Sequence, residues 1–129
     1  LVKKNWISKL IEAEFDSRVL LNKKNVIVTG FNCVQSCQHK IKNVYKKFYT
    51  KNTIGGINMF FSNSTYLYIV KEILEYGRPN LGWDWEICKK SKSKKIPIVV
   101  TKPSVIQHIG IEGLNSNKEK KRYDTAEDF

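Results

Sequence analysis

The sequence predicts a three-layer α/β domain, and three observations carry that expectation. Residues 25–30 (Asn-Val-Ile-Val-Thr-Gly) and 96–101 (Ile-Pro-Ile-Val-Val-Thr) are short, β-branched apolar runs of the kind that form buried strands. Residues 4–15 and 64–76 place apolar side chains three and four apart, as helices with one buried face do. Helical and strand-like segments are also interleaved along the chain rather than segregated. The order reads helix, strand, loop, strand, helix, helix, strand. Few strands are available, so the sheet has room for strands from elsewhere.

Each element has a local reason. In residues 4–15, Trp6, Leu10 and Ala13 share one face with Ile7 and Ile11 beside them, while Lys9, Glu12 and Glu14 turn outward. Residues 32–40 are polar and irregular, and 41–50 fit a helix or a strand equally well. Gly55-Gly56 forms a flexible turn into a strand over 57–61. Ser64 reads as a helix N-cap, followed by the apolar face of Tyr66, Ile69, Val70, Ile73 and Leu74, with Gly77 as the stop. Residues 78–82 are a loop. A second helix runs from Asp84 to about Lys90, with its acidic residues at the positive end of the helix dipole. The lysine-rich stretch 89–95 reads as a solvated turn, and Pro97 stands near the start of the last strand, where a missing N–H is tolerated. Residues 115–129 form a charged tail, with the mobility expected of such a surface segment.

The 129 residues are expected to form one domain, 1–129, or part of a larger one, with the 41% hydrophobic and 27% charged content of a globular chain. That balance excludes a disordered chain, a collagen-like repeat and a disulfide-dense scaffold. No apolar run approaches the ~20 residues of a bilayer crossing, and no secretory signal follows Leu1. Cys33, Cys37 and Cys88 cannot all pair within the chain, which favours a reducing, cytoplasmic setting. The spacing Cys33-x₃-Cys37-x-His39, with Cys88 or His108, invites a zinc site. The second tight ligand pair of such sites is missing, so buried thiols fit better.

The net charge is +11, and most of the excess lies in the first half: residues 1–64 hold 11 basic and 3 acidic side chains. An anionic partner is one account. Only 3 of the 23 basic residues are arginine, although base readout and bidentate phosphate contacts favour arginine, and asparagine is also abundant at 11. An A/T-rich coding sequence would produce both enrichments without any partner.

Three clusters combine turns with reactive residue types. Ile54-Gly55-Gly56-Ile57-Asn58 lets a backbone approach a ligand closely, or is a plain strand-entry turn. Gly82-Trp83-Asp84-Trp85-Glu86 sets two carboxylates among two indoles. Indole faces stack on sugar rings and a carboxylate can take a hydroxyl proton, whereas a capping Asp beside core tryptophans is the plain alternative. Gln107-His108-Ile109-Gly110 places a histidine after an apolar strand, either as a metal or phosphate contact or as a hydrogen-bonded structural residue.

In this order, a Gly-Gly strand entry, an amphipathic helix, Trp83-Asp84-Trp85-Glu86, a last strand and Pro103-Ser-Val-Ile-Gln-His108-Ile-Gly, the clusters resemble the second half of a GT-A-fold, family 2-like glycosyltransferase. The resemblance implies a mixed sheet flanked by helices, the acceptor-side half of that fold. It implies sugar transfer from a nucleotide-sugar donor to a carbohydrate or other hydroxyl acceptor, with a divalent metal (Mn or Mg). By position, Gly55 and Gly56 match the donor-side glycine loop, Asp84 the catalytic base of inverting members, and His108 the late histidine that helps hold metal or diphosphate. Trp83, Trp85 and Glu86 would shape the acceptor site. The opening segment is similar to the helix that follows the family's D-x-D motif. Two departures stand out: Trp83 occupies the place of an acid that usually precedes the base, and no D-x-D occurs. The chain is therefore expected to be the part after that motif, possessing little activity by itself. A basic nucleic-acid-binding module or a catalytically inactive remnant is the competing expectation. No specific nucleic acid is expected as partner under the transferase reading, and membrane association is left open.

Overall fold

The computed structural model describes residues 1–33, 39–56, 58–76, 82–108, 126 and 128–129. Four strands form one mixed sheet in the order β1-β4-β3-β2. Strand β1 (Ile27–Thr29) runs parallel to β4 (Ile98–Thr101), with Val28 opposite Val99. Strand β3 (Phe48–Lys51) pairs antiparallel with both β4 and β2 (Ile41–Val44). The two segments read as buried strands are thus neighbours at the parallel side of the sheet, and every residue of both is buried.

Alternation along these strands divides the interior in two. Val28, Val99 and Phe48 face helix α1 (Trp6–Leu21), packing with Leu10 and Ala13. Ile27 and Ile98 face the opposite way, packing with Ile69, Val70 and Ile73 and with Ile87 and Cys88 of helix α4 (Trp83–Ser93). Helices therefore cover both faces, and the α/β class stands with three layers. Helix α2 (Asn63–Thr65), a π turn (Tyr66–Val70) and helix α3 (Lys71–Tyr76) follow one another directly.

Several elements differ from the sequence reading. The ambiguous stretch 41–50 is a hairpin, because Phe48 and Thr50 bury against β4 while β2 stays an exposed edge carrying Lys42. Residues 58–61 form no strand: Phe60 bridges Val28, but the Asn58 Oδ1 accepts the Gly30 N–H at 2.8 Å and ends the ladder with a side chain. The N-cap is Ser62, whose Oγ accepts from the Thr65 N–H, while the Ser64 hydroxyl donates to the Asn25 side chain. Helix α4 continues through residues 89–93, so only Lys94 and Lys95 form the turn.

Helix α1 reaches Leu21 and is apolar on more than one side. Leu10 and Ala13 are buried with Ser17, whereas Ile7, Ile11, Phe15 and Val19 form an exposed stripe four residues apart. Glu14, expected to turn outward, is buried and holds Arg18. Leu74 is likewise exposed. A single face can meet the sheet, and Leu10-Ala13-Ser17 is the one narrow enough to pack closely.

The segment after β4 folds back over the end of β1. The Gly30 carbonyl accepts from the N–H groups of Val105 and Ile106, and a Cβ on Gly30 would lie 2.8 Å from Val105 Cγ2. Only glycine fits that approach. At the chain end, Ala126 is buried and bridges Cys33, and Ser104 donates to Asp128. Cys33 is disulfide-bonded and Cys88 is a buried free thiol, so the reading of the thiols as free holds for Cys88 and fails at Cys33. Cys37, Ile57, Gly77, residues 78–81 and 109–125 lie outside the described residues. Among the described residues no helix is long and apolar enough to cross a membrane.

Candidate functional site

Helix α4 and the segment after β3 are locked together at two points one helical turn apart. The Cys88 Sγ accepts from the Ile54 N–H at 3.3 Å and donates to the Ile54 carbonyl at 3.4 Å. One turn earlier, the Asp84 Oδ2 accepts from the Gly56 N–H at 3.0 Å. Residues four apart lie on one helix face, so the two grips hold the backbone of 54–56 along α4. Burial raises the Cys88 thiol's pKa above its ordinary value, Asp84 adds to the rise and the Ile54 hydrogen bond opposes it. The thiol therefore stays protonated and inert at neutral pH.

Asp84 is fixed on its other oxygen as well, where Oδ1 accepts from the Trp85 N–H at 2.9 Å. A carboxylate offers about four acceptor positions, so two remain for a ligand. Trp83 and Trp85 flank it with 44% and 39% of their surface exposed. The Trp83 ring lies against Gly56, where a Cβ would come within 2.9 Å of Cζ2. Glycine at 56 is what permits the contact, and its own N–H, being donated to Asp84, is not offered to a ligand.

His39 completes the cluster. Its Nδ1 is 2.9 Å from the Thr53 hydroxyl, its ring centroid is 5.7 Å from that of Trp85, and its Nε2 lies 3.6 Å from where a Gly55 Cβ would stand. Burial pushes the imidazole below its ordinary 6.5, the Lys51 ammonium pushes it the same way, and the Asp84 carboxylate pulls it back up. The ring is neutral at pH 7 as a result. A neutral imidazole, a pinned carboxylate and two half-open indoles thus line one patch, an arrangement suited to stacking a polar ring and accepting a proton from its hydroxyl.

No protein-family model, curated protein or solved structure matches this chain. The geometry of the site is what its reading rests on.

Five of the seven residues singled out in the sequence therefore come together: Gly55, Gly56, Trp83, Asp84 and Trp85. Glu86 lies on the same helix and makes none of the contacts just described. His108 follows Gln107, which is held by Leu1 and Ala126, and it takes no part in the named contacts around Asp84. Among the described residues no three His, Cys, Asp or Glu side chains converge as a metal cage would require. A zinc site through Cys33 is set aside by its disulfide, since a ligating sulfur must be a thiolate.

His39 entered the sequence reading only as a zinc ligand, not as a neighbour of Asp84. The signal for it was present in residues 41–50. Once these are a hairpin, Ile41 pairs with Lys51. Continuing that register two residues outward sets His39 opposite Thr53.

Proposed function

We propose that this patch is the acceptor side of a glycosyltransferase that moves a sugar from a nucleotide-sugar donor to a hydroxyl acceptor, with Asp84 as the base. The observation that carries the reading is the hydrogen bond from the Gly56 N–H to Asp84, which joins the glycine turn and the acidic helix start between two half-open indoles. In the step, an Asp84 oxygen takes the acceptor's hydroxyl proton and the acceptor oxygen bonds to the anomeric carbon. The bond from that carbon to the donor diphosphate breaks, and the leaving diphosphate keeps the electron pair. Trp83 and Trp85 orient the acceptor ring by stacking, and the two backbone N–H groups hold Asp84 in place. Glu86 is the other carboxylate of the acceptor side in this reading, and His108 belongs to the diphosphate or metal side.

Asp84→Asn tests it. The amide oxygen can still accept from one backbone N–H but cannot take a proton. Transfer by the full protein should fall about 10²–10⁴-fold while donor affinity and melting temperature hold. Undiminished turnover would remove Asp84 from the role.

A further inference from the structure

We propose that a lysine-lined cavity at the far end of α4 binds a small, multiply phosphorylated anion. The cavity, of about 350 Å³, lies between the ends of α1 and α4 and the β2–β3 hairpin. Lys23 enters it from the turn after α1, Lys42 from β2, Lys51 from β3, Lys92 from the last turn of α4 and Lys95 from the turn beyond. A second cavity of about 670 Å³ adjoins it through Lys23, Lys95 and Ile96 and adds Lys24 and Lys94. Among the described residues no Asp or Glu lines either one.

The segregation of sign is the telling feature. Four lysines elsewhere are neutralised: Lys47 pairs with Glu12 and Asp16, Lys9 with Glu12, Lys71 with Glu75 and Lys90 with Glu72. A third cavity, of about 290 Å³, holds Lys3, Lys4, Lys9, Lys47 and Lys102, yet Glu12 and Asp16 line it too. Of the seven lysines that line the two adjoining cavities, Lys23, Lys24, Lys42, Lys92 and Lys95 make no ion pair among the described residues, while Lys94 stands over the Tyr68 ring and acts on the Glu72 carboxylate. A lysine-rich composition explains how many lysines there are, not why five of them converge on one cavity whose described lining holds no carboxylate. Helix dipoles favour cations at the ends of α1 and α4, but Lys42 stands on a strand. Such a cluster is self-repelling until an anion neutralises it.

The shape and residue types narrow the ligand. The cavity volume is at the lower end for small-molecule sites, and ammonium groups act as point charges on phosphates. Among the described residues no arginine lines it to read bases bidentately, and a concave wall suits a compact anion better than a flat lipid surface. The cavity and Asp84 lie toward opposite ends of α4, and Lys51 both lines the cavity and faces His39 of the Asp84 patch.

The experiment is calorimetric titration of the full protein with inorganic tripolyphosphate at low salt. Saturable binding with one site per chain is expected, weakening as salt rises. Lys42→Glu combined with Lys95→Glu should lower affinity roughly tenfold or more, while Lys3→Glu combined with Lys102→Glu should not. Should the first pair lose its melting transition, Lys42→Gln and Lys95→Gln singly should each still weaken binding. No heat of binding, an equal loss in both double variants, or tighter binding of a ten-nucleotide oligothymidylate at equal phosphate concentration would each overturn the proposal. Asp84→Asn should bind tripolyphosphate as the unaltered chain does, so failure here and failure of the transferase reading are separable.

Discussion

At its first turn α4 presents two half-exposed indoles around a carboxylate held by backbone N–H groups, and at its last turn Lys92 lines a cavity whose described lining holds no carboxylate. The first end is constrained from three sides: Asp84 by Gly56, Cys88 by Ile54, and Trp83 by contact with the glycine. The second is shaped by where α1, the hairpin and α4 happen to stop. The difference teaches that one helix can support two surfaces of opposite kind. Hydrogen bonds fix geometry where an oriented group is needed, and charge alone suffices where an anion can be gripped from several directions.

Removing the shared support should damage both ends. Ile87 is fully buried beneath α4, and Ile87→Ala should cost about 2–5 kcal/mol by denaturant unfolding. If α4 docks independently of that contact, the loss will be far smaller and the comparison loses its common frame. Gly56→Ala should act at the first end only. The new Cβ meets the outer edge of the Trp83 ring, which can turn away, so stability should change by no more than about 1 kcal/mol while the tryptophan fluorescence shifts. An unshifted spectrum would mean that the ring does not rest on Gly56.

The smallest effect is electrostatic. His39 should titrate below 6.5, followed by the chemical shifts of its ring protons. Above 6.5 the folded and unfolded chains are both neutral at this residue. As pH falls through 6.5 the unfolded chain takes the proton first, so this contribution to stability declines towards the folded midpoint. Asp84→Asn removes the charge that raises the imidazole, and the midpoint should then drop further. A midpoint at or above 6.5 in the unaltered protein would separate His39 from the buried, lysine-facing setting described.

Much of this was legible because it is local. The β-branched runs became β1 and β4, and the acid-rich start of α4 follows the helix dipole. Gly55, Gly56 and Trp83-Asp84-Trp85 were visible as unusual residue types in turns. The stretch 41–50 was not, since ten residues of mixed polarity satisfy either period and only the open edge of β4 made it a hairpin. The outward stripe of α1 was missed for a related reason: a helix apolar on two sides does not announce which side the sheet will take.

The sequence by itself determined the α/β class, the buried strands and the residue types of the Asp84 patch, because these follow from side-chain period and backbone preference within a few neighbours. Tertiary structure decided that His39 joins that patch, that Gln107 is held by Leu1 and Ala126, and that seven lysines from separate segments meet around two adjoining cavities. Those outcomes depend on strand register and on where helices end, which are set by contacts between residues far apart in the chain.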